Sequence, residues 1–470
     1  MRRKILIGGE WKEGGESFSV SAPYSGMKLA EVGSATANEM SEAISHAAEA
    51  AREMRGLSRF QIADAMRSIA DGIRARKEEF ARTIAEEAAK PLIYARGEVE
   101  RGISTFDHAA AEAGRFTGEI VPVDTQPNGR GKKARTLRIP RGVIYGITPF
   151  NFPLNLVAHK AAPALASGNA IIIKPSPRTP LTSLMLGEVF LETKLPASAL
   201  QIVPMDVKYM DSVISDDRVA MISFTGSAAV GWDLKNRAGK KAVALELGGN
   251  APVIVDETAD IEKSMARTVT AAFAYSGQVC ISAQRIYIQS LMFDEWTSEF
   301  ISRAKGLKKG DPLEETTQLS VMVDEVAAKR AEEWIREAAD NGATLLCGGS
   351  RDGSMLDATV LTNTDPEMRV VAEEVFAPVA VVEPFDNFEQ AVELANRSKY
   401  GLQAGVFTND FHRAEYAAQN LEYGGVIIND GPHFRVDNMP YGGSKESGFG
   451  REGVRYAMEE MTEIRLIVSE

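Results

Sequence analysis

Between Thr36 and about Arg115 the chain is rich in alanine with charges at helical spacing, and Thr36-Ala37-Asn38-Glu39 opens the stretch in the form of a capping box. This predicts a helical layer. Over residues 118–141 the pattern breaks: Pro122, Pro127, Gly129 and Gly131 separate short extended pieces, which predicts a protruding hairpin. From Gly142 apolar runs alternate with helical patterns. Strands are predicted at 143–147, 170–174, 200–203, 219–224 and 242–245, with helices from Pro153, after Pro180 and from Ser227. The alternation restarts after Ala251 with a strand at 252–255, a helix over 261–275, and later strands near 285–288, 379–382, 404–407 and 426–428. Strands alternating with helices imply crossover connections and a parallel sheet, so two α/β domains are expected. No internal repeat of fixed period and no low-complexity segment interrupts them.

Composition fits that size. At 470 residues and 44% hydrophobic content the chain can bury several minimal cores, which favours two or three domains over one. A formal charge of -12 disfavours unspecific attraction to nucleic acid or anionic membrane. Arg130, Lys132, Lys133, Arg135, Arg138 and Arg141 form a local exception, read as a solvated hairpin or subunit contact because no aromatic residues interleave with them. The run Ile5-Leu6-Ile7 ends at once in Gly8-Gly9-Glu10, too short for a signal segment, and no apolar stretch approaches the roughly 20 residues that span a bilayer. Two cysteines cannot build a disulfide framework, so a reduced, cytoplasmic setting is expected. No metal-ligand set is expected.

Cys347 closes the short run Thr344-Leu345-Leu346, and packing at a strand end explains it. Cys280 differs in its surroundings. It ends Gly277-Gln278-Val279-Cys280, between Glu246-Leu247-Gly248-Gly249 and Glu373-Glu374-Val375-Phe376. A thiol is the strongest nucleophile among neutral side chains, and a nearby carboxylate can activate water for the second half of a covalent cycle. Glu246 at a dry strand end would have the elevated pKa of a general base; otherwise it is a salt-bridged structural acid. Phe224-Thr225-Gly226-Ser227 follows a strand and opens a helix, where backbone N–H groups and the helix dipole favour a phosphate, although a tight turn needs the same residues. Lys174-Pro175-Ser176 ends a strand on the side of a parallel sheet where ligands dock. Thr148-Pro149-Phe150-Asn151-Phe152-Pro153 holds one amide between two prolines, either to donate to an oxyanion or to cap the following helix.

Together with Glu373 to Pro378 and Pro440-Tyr441-Gly442-Gly443-Ser444-Lys445-Glu446-Ser447-Gly448, these motifs resemble the aldehyde dehydrogenase superfamily, in the right order over almost the whole chain. The resemblance implies two Rossmann-type parallel-sheet domains: an NAD(P)-binding domain over 1–117 and 142–246 and a catalytic domain over 247–450. A small β oligomerisation element would comprise 118–141 and 451–470, in a homodimer or homotetramer. By similarity Cys280 is the nucleophile, Asn151 an oxyanion donor and Glu246 the general base. Glu374 would hold the nicotinamide ribose, with Phe376 beside the nicotinamide. Thr148, Pro149, Phe150, Lys174, Ser176, Pro177, Arg178, Phe224, Thr225, Gly226, Ser227, Val230, Leu247 and Gly248 would complete the NADP or NAD site. Pro177 stands where many NAD-preferring relatives carry a glutamate, so NADP is expected to be accepted. The presence of Glu246 favours hydrolysis of the acyl-enzyme over transfer to coenzyme A.

The segment 149–156 with His159 looks like the branch containing lactaldehyde dehydrogenases and non-phosphorylating glyceraldehyde-3-phosphate dehydrogenases. It assigns Arg101, Asn155, His159, Val279, Ile281, Arg435 and Tyr441 to the aldehyde pocket. A short hydroxyaldehyde such as lactaldehyde or glyceraldehyde is the first expectation. A small anionic aldehyde (glyceraldehyde 3-phosphate, phosphonoacetaldehyde or succinate semialdehyde) is the second. Two other classes fit the residues less well: a silent binding scaffold, against which Cys280, Glu246 and Asn151 argue, and a cysteine hydrolase, which would leave Lys174, 224–227 and Glu374 without purpose.

Overall fold

A computed structural model describes residues 2–470. Helices Ala37–Met54, Arg59–Ala75, Lys77–Ala88 and Leu92–Arg115 form the helical layer, and Thr36 and Glu39 make the reciprocal capping box. Their alanine-rich faces allow close packing. Gly72, on the second of them, sits where a Cβ would lie 2.5 Å from a methyl of Val189. These helices cover an eight-stranded sheet whose order is Gly448–Phe449, Ala242–Glu246, Val219–Thr225, Val143–Ile147, Ala170–Lys174, Leu200–Ile202, Ile5–Ile7, Glu10–Lys12.

The five inner strands pair in parallel, and the central two, Val143–Ile147 and Ala170–Lys174, are buried along their whole length. Toward its edges the sheet is mixed: Ile5–Ile7 and Gly448–Phe449 pair antiparallel. The N-terminal segment reaches its edge through a hairpin whose turn residues Gly8 and Gly9 take φ of 65° and 82°. Strands Arg2–Arg3, Glu16–Ser21 and Lys28–Ser34 form a small sheet that the sequence pattern did not predict.

The second large sheet runs Thr344–Cys347, Thr359–Thr362, Val379–Phe385, Ala283–Gln289, Ala251–Val255, Gln403–Phe407, Gly425–Ile428, parallel except for its first strand. Cys347 is buried at the end of that antiparallel strand. The hairpin over 118–141 contains Ile120–Val121 and Lys133–Pro140, and Thr462–Ser469 pairs with the latter along its whole length. Among the described residues no helix is long and apolar enough to cross a membrane.

In the first sheet the strand order reverses between Val143–Ile147 and Val219–Thr225, so ligand is expected beyond their carboxyl ends. The second sheet contributes from its opposite edge. Leu247 to Asn250, Cys280 and Glu374 to Phe376 all lie in the connections that lead into strands Ala251–Val255, Ala283–Gln289 and Val379–Phe385. The predicted helix over 261–275 stops at Phe273, because Tyr275 and Ser276 take left-handed φ of 51° and 53° and turn the chain toward Cys280.

Candidate active site

Between the carboxyl ends of the first sheet and the entry loops of the second lies a cleft of about 470 Å³. Its lining brings together Pro149, Phe150, Asn151, Arg178, Thr225, Gly226, Ser227, Leu247, Gly248, Cys280, Glu374 and Phe376. Leu156, Gln278, Val323, Asp324, Val326, Ala327 and Arg330, which sequence reasoning missed, complete it. Thr148, Lys174, Ser176, Pro177, Phe224 and Val230 stand outside the lining. Thr148 donates its backbone N–H to the Lys174 carbonyl at 3.2 Å, joining the two strand ends. Lys174 is buried and holds its proton less tightly for that reason, with Asp206 opposing. Ser176 Oγ accepts from the Arg178 N–H at 3.2 Å. Pro177 faces a neighbouring hollow of about 380 Å³, and Arg178 pairs with Asp324 between the two. Phe224 lies beneath Gly226, where a Cβ would come within 2.5 Å of its ring, and Val230 is exposed.

Cys280 Sγ is 3.1 Å from the Tyr441 hydroxyl. Burial pushes its pKa up to about 11, while the Tyr441 hydrogen bond and the Arg435 charge pull it down. The backbone around it is crowded. A Cβ on Gly249 would lie 2.1 Å from the Cys280 carbonyl, and one on Gly277, whose φ is 67°, would lie 2.0 Å from the Ala377 carbonyl. Glycine is required at both. Asn151 Nδ2 donates to the Gln278 carbonyl at 2.9 Å, which leaves its second N–H free, and its Oδ1 has no partner.

Glu246 ends its strand just behind Leu247, buried, with Oε2 unpartnered. Burial first, and the charge of Glu452 second, raise its pKa well above the ordinary carboxylate value. Glu452 stays ionised at about 2 because Lys160 lies 3.2 Å from one of its oxygens and Arg435 3.0 Å from the other. Glu374 accepts from the Gly249 N–H at 2.9 Å, and burial lifts it to about 7. Phe376 meets Phe150 edge to face at 6.0 Å, with φ of 52°.

The residues assigned to the aldehyde pocket divide into two groups. Val279, Ile281 and Tyr441 pack with Leu402 beside Cys280. Arg101, His159 and Arg435 belong to a charged network just beyond: Arg435 stacks 3.7 Å above the Tyr441 ring, and Asp437 Oδ1 takes Arg101 Nη2 at 3.1 Å and His159 Nε2 at 2.9 Å. Burial and Arg435 push His159 down to about 4, so it is neutral. Its Nδ1, Arg101 Nε and Arg435 Nε are buried without partners among the described residues. Asn155 Oδ1 accepts from Thr105 at 3.4 Å. Asp437 and Glu452 carried no motif of their own; their nearness to Arg435 and to Pro440–Gly448 in the chain was the available signal.

The site can take a dinucleotide. The helix Ala228–Arg237 opens on the cleft at Gly226 and Ser227 with no side-chain cap, the Thr225 hydroxyl is unpartnered, and Gly248 brings bare backbone against Glu374. The aldehyde dehydrogenase family model matches residues 11–467. A 3-sulfolactaldehyde dehydrogenase of Priestia megaterium is 40% identical over 465 residues, covering 99% of this chain and 97% of that protein. Aldehyde dehydrogenase 21 of Physcomitrella patens, solved with the reaction product succinate, superposes with a TM-score of 0.98 at 40% identity, covering 100% of this chain and 98% of that one. The glyceraldehyde-3-phosphate dehydrogenase GapN of Methanocaldococcus jannaschii, solved with NADP, gives 0.92 at 38% identity, covering 97% and 99%. The chain therefore belongs to the aldehyde dehydrogenase family.

Proposed function

We propose that this enzyme oxidises a short, hydroxylated aldehyde to the carboxylic acid through a thioester on Cys280, using NADP or NAD. The observation that carries the reading is one cleft whose lining joins Cys280 and Asn151 to Glu374 and Phe376, with buried Glu246 next in the chain to its lining residue Leu247. When bound, NAD(P) supplies the hydride acceptor. Gly226, Ser227 and the helix N-terminus would hold its phosphates, Glu374 would hold its nicotinamide ribose, and Phe376 would lie beside the ring.

Deprotonated Sγ of Cys280 forms a bond to the aldehyde carbon, and the carbonyl oxygen becomes an oxyanion. The free Asn151 N–H and the Cys280 backbone N–H receive it, donors of a kind worth about 3–4 kcal/mol each. Loss of hydride from that carbon leaves the thioester. Glu246 then takes a proton from water, the water oxygen bonds to the acyl carbon, the C–S bond breaks, and the acid departs. Its elevated pKa suits a base that must accept that proton near neutrality.

The unpartnered atoms beside Tyr441 support the substrate class. Neutral His159 donates Nε2–H to Asp437, so its Nδ1 is an acceptor that a substrate hydroxyl would satisfy. A second reading, a small anionic aldehyde, is favoured by the spare Nε–H groups of Arg101 and Arg435 and by the succinate held in the Physcomitrella relative. The absence of a carboxylate at Pro177 supports use of NADP, as does the NADP held by GapN.

A panel of lactaldehyde, glyceraldehyde, 3-sulfolactaldehyde, succinate semialdehyde and an alkyl aldehyde, followed by absorbance of reduced cofactor with NAD and NADP, tests the reading. The hydroxylated aldehydes should give the highest kcat/KM, NADP should be turned over, and Cys280→Ser should abolish every activity. Preference for the alkyl aldehyde, or strict rejection of NADP, contradicts it.

A further inference from the structure

Beneath this site lies a buried cation for which the thioester route has no use. Lys90 follows the helix Lys77–Ala88, and left-handed Ala89, with φ of 50°, turns it into the protein. Its Nζ is enclosed between the rings of Phe152 and Tyr275, 3.7 Å and 4.5 Å from their centroids, and ion-paired with Glu98. Burial makes this lysine easier to deprotonate, and Glu98 opposes the shift.

The two rings come from different walls of the reaction centre. Phe152 adjoins Asn151 in the loop that leaves the first sheet. Tyr275 begins the left-handed pair that turns the second domain's chain toward Cys280, and its hydroxyl donates to the Ala88 carbonyl at 2.9 Å. Glu98 acts on the first wall as well: its Oε1 accepts from the Leu154 and Asn155 N–H groups at 2.9 and 3.2 Å, holding the start of helix Asn155–Ala166. Burying an ion pair is a poor route to stability, since packed apolar side chains of equal volume do as well. A cation between two ring faces instead fixes where both rings stand.

We propose that Lys90 is a positioning residue: anchored by Glu98 and gripping Phe152 and Tyr275, it sets the spacing between the Asn151 amide and the Cys280 thiol. This rests on the reading of Asn151 as oxyanion donor and Cys280 as nucleophile.

A double-mutant cycle tests it in the full-length enzyme with saturating cofactor. Lys90→Met should lower the single-turnover rate about tenfold, because small misplacements of reacting groups are costly. It should leave cofactor KM and the rate of Cys280 alkylation by iodoacetamide unchanged. In an Asn151→Ala background the same substitution should cost less than about twofold, since its effect passes through that amide. Lys90→Met with Glu98→Gln removes the unpaired carboxylate, while glutamine Oε1 keeps the two backbone bonds; it should recover the thermal midpoint but not the rate. The proposal is overturned if the full loss persists without the Asn151 amide, or if the double variant restores rate and stability together. Were Asn151→Ala alone to leave the rate intact, the oxyanion reading would fall, and this proposal with it.

Discussion

At the scale of single residues the site is an arrangement of displaced proton affinities. The thiol of Cys280, the proposed nucleophile, is pushed up to about 11 by burial, and its remaining acidity depends on the Tyr441 hydroxyl and the Arg435 charge. Replacing Tyr441 by Phe removes a hydrogen bond that favours the thiolate. Alkylation of the free enzyme by iodoacetamide at pH 8 should slow roughly threefold, and an unchanged rate would mean that the 3.1 Å contact does not act on the thiol. Glu246 is raised for two reasons, of which only burial is its own; the other is ionised Glu452. A general base works deprotonated, so thioester hydrolysis should fall as pH drops through the elevated Glu246 pKa, above the ordinary carboxylate range. Glu452→Gln removes the repelling charge and leaves Lys160 and Arg435 unneutralised, both of which lower the Glu246 pKa. The acid limb of the pH profile should therefore move to lower pH, and a limb that stays in place would separate Glu452 from the base.

At the scale of elements, precision is set by backbone contacts around the nucleophile. Gly249 leads into strand Ala251–Val255 against the Cys280 carbonyl, so Gly249→Ala should move the thiol by a few tenths of an ångström or more. A kcat loss of about a hundredfold with an unchanged far-UV spectrum is expected, and wild-type kcat would contradict the contact. This level also explains what could be read from the chain. Strands 143–147 and 170–174 are fully buried, mostly apolar runs and were legible to the residue. The edge strands Arg2–Arg3 and Gly448–Phe449 are two residues each, too short to carry a period. The helix end at Phe273 was hidden because Tyr275 and Ser276 are left-handed without being glycine. Cys280, Asn151 and Glu246, the proposed nucleophile, oxyanion donor and base, stand out in the chain because motifs surround them. Asp437, 336 positions from Arg101, and Asp324, opposite Arg178, join the site only through tertiary contact.

At the scale of the whole molecule, strand Thr462–Ser469 pairs on one side with Lys133–Pro140, and among the described residues no strand pairs with its other edge. Ile464, Leu466 and Val468 are exposed along it, at 63%, 57% and 48%. A long apolar edge of this kind invites pairing with another chain, so the chain is expected to form a homo-oligomer through this element. Ile464→Lys with Leu466→Lys should shift the mass measured by light scattering toward the monomer, and a wild-type monomer would contradict the expectation. In the proposed cycle every turnover passes through a covalent acyl intermediate released by Glu246. Glu246→Gln should therefore yield one equivalent of reduced cofactor per site and then stall, with the mass of the acyl group found on the Cys280 peptide after acid quench. Steady turnover by that variant, or a burst with the added mass anywhere else, would contradict it.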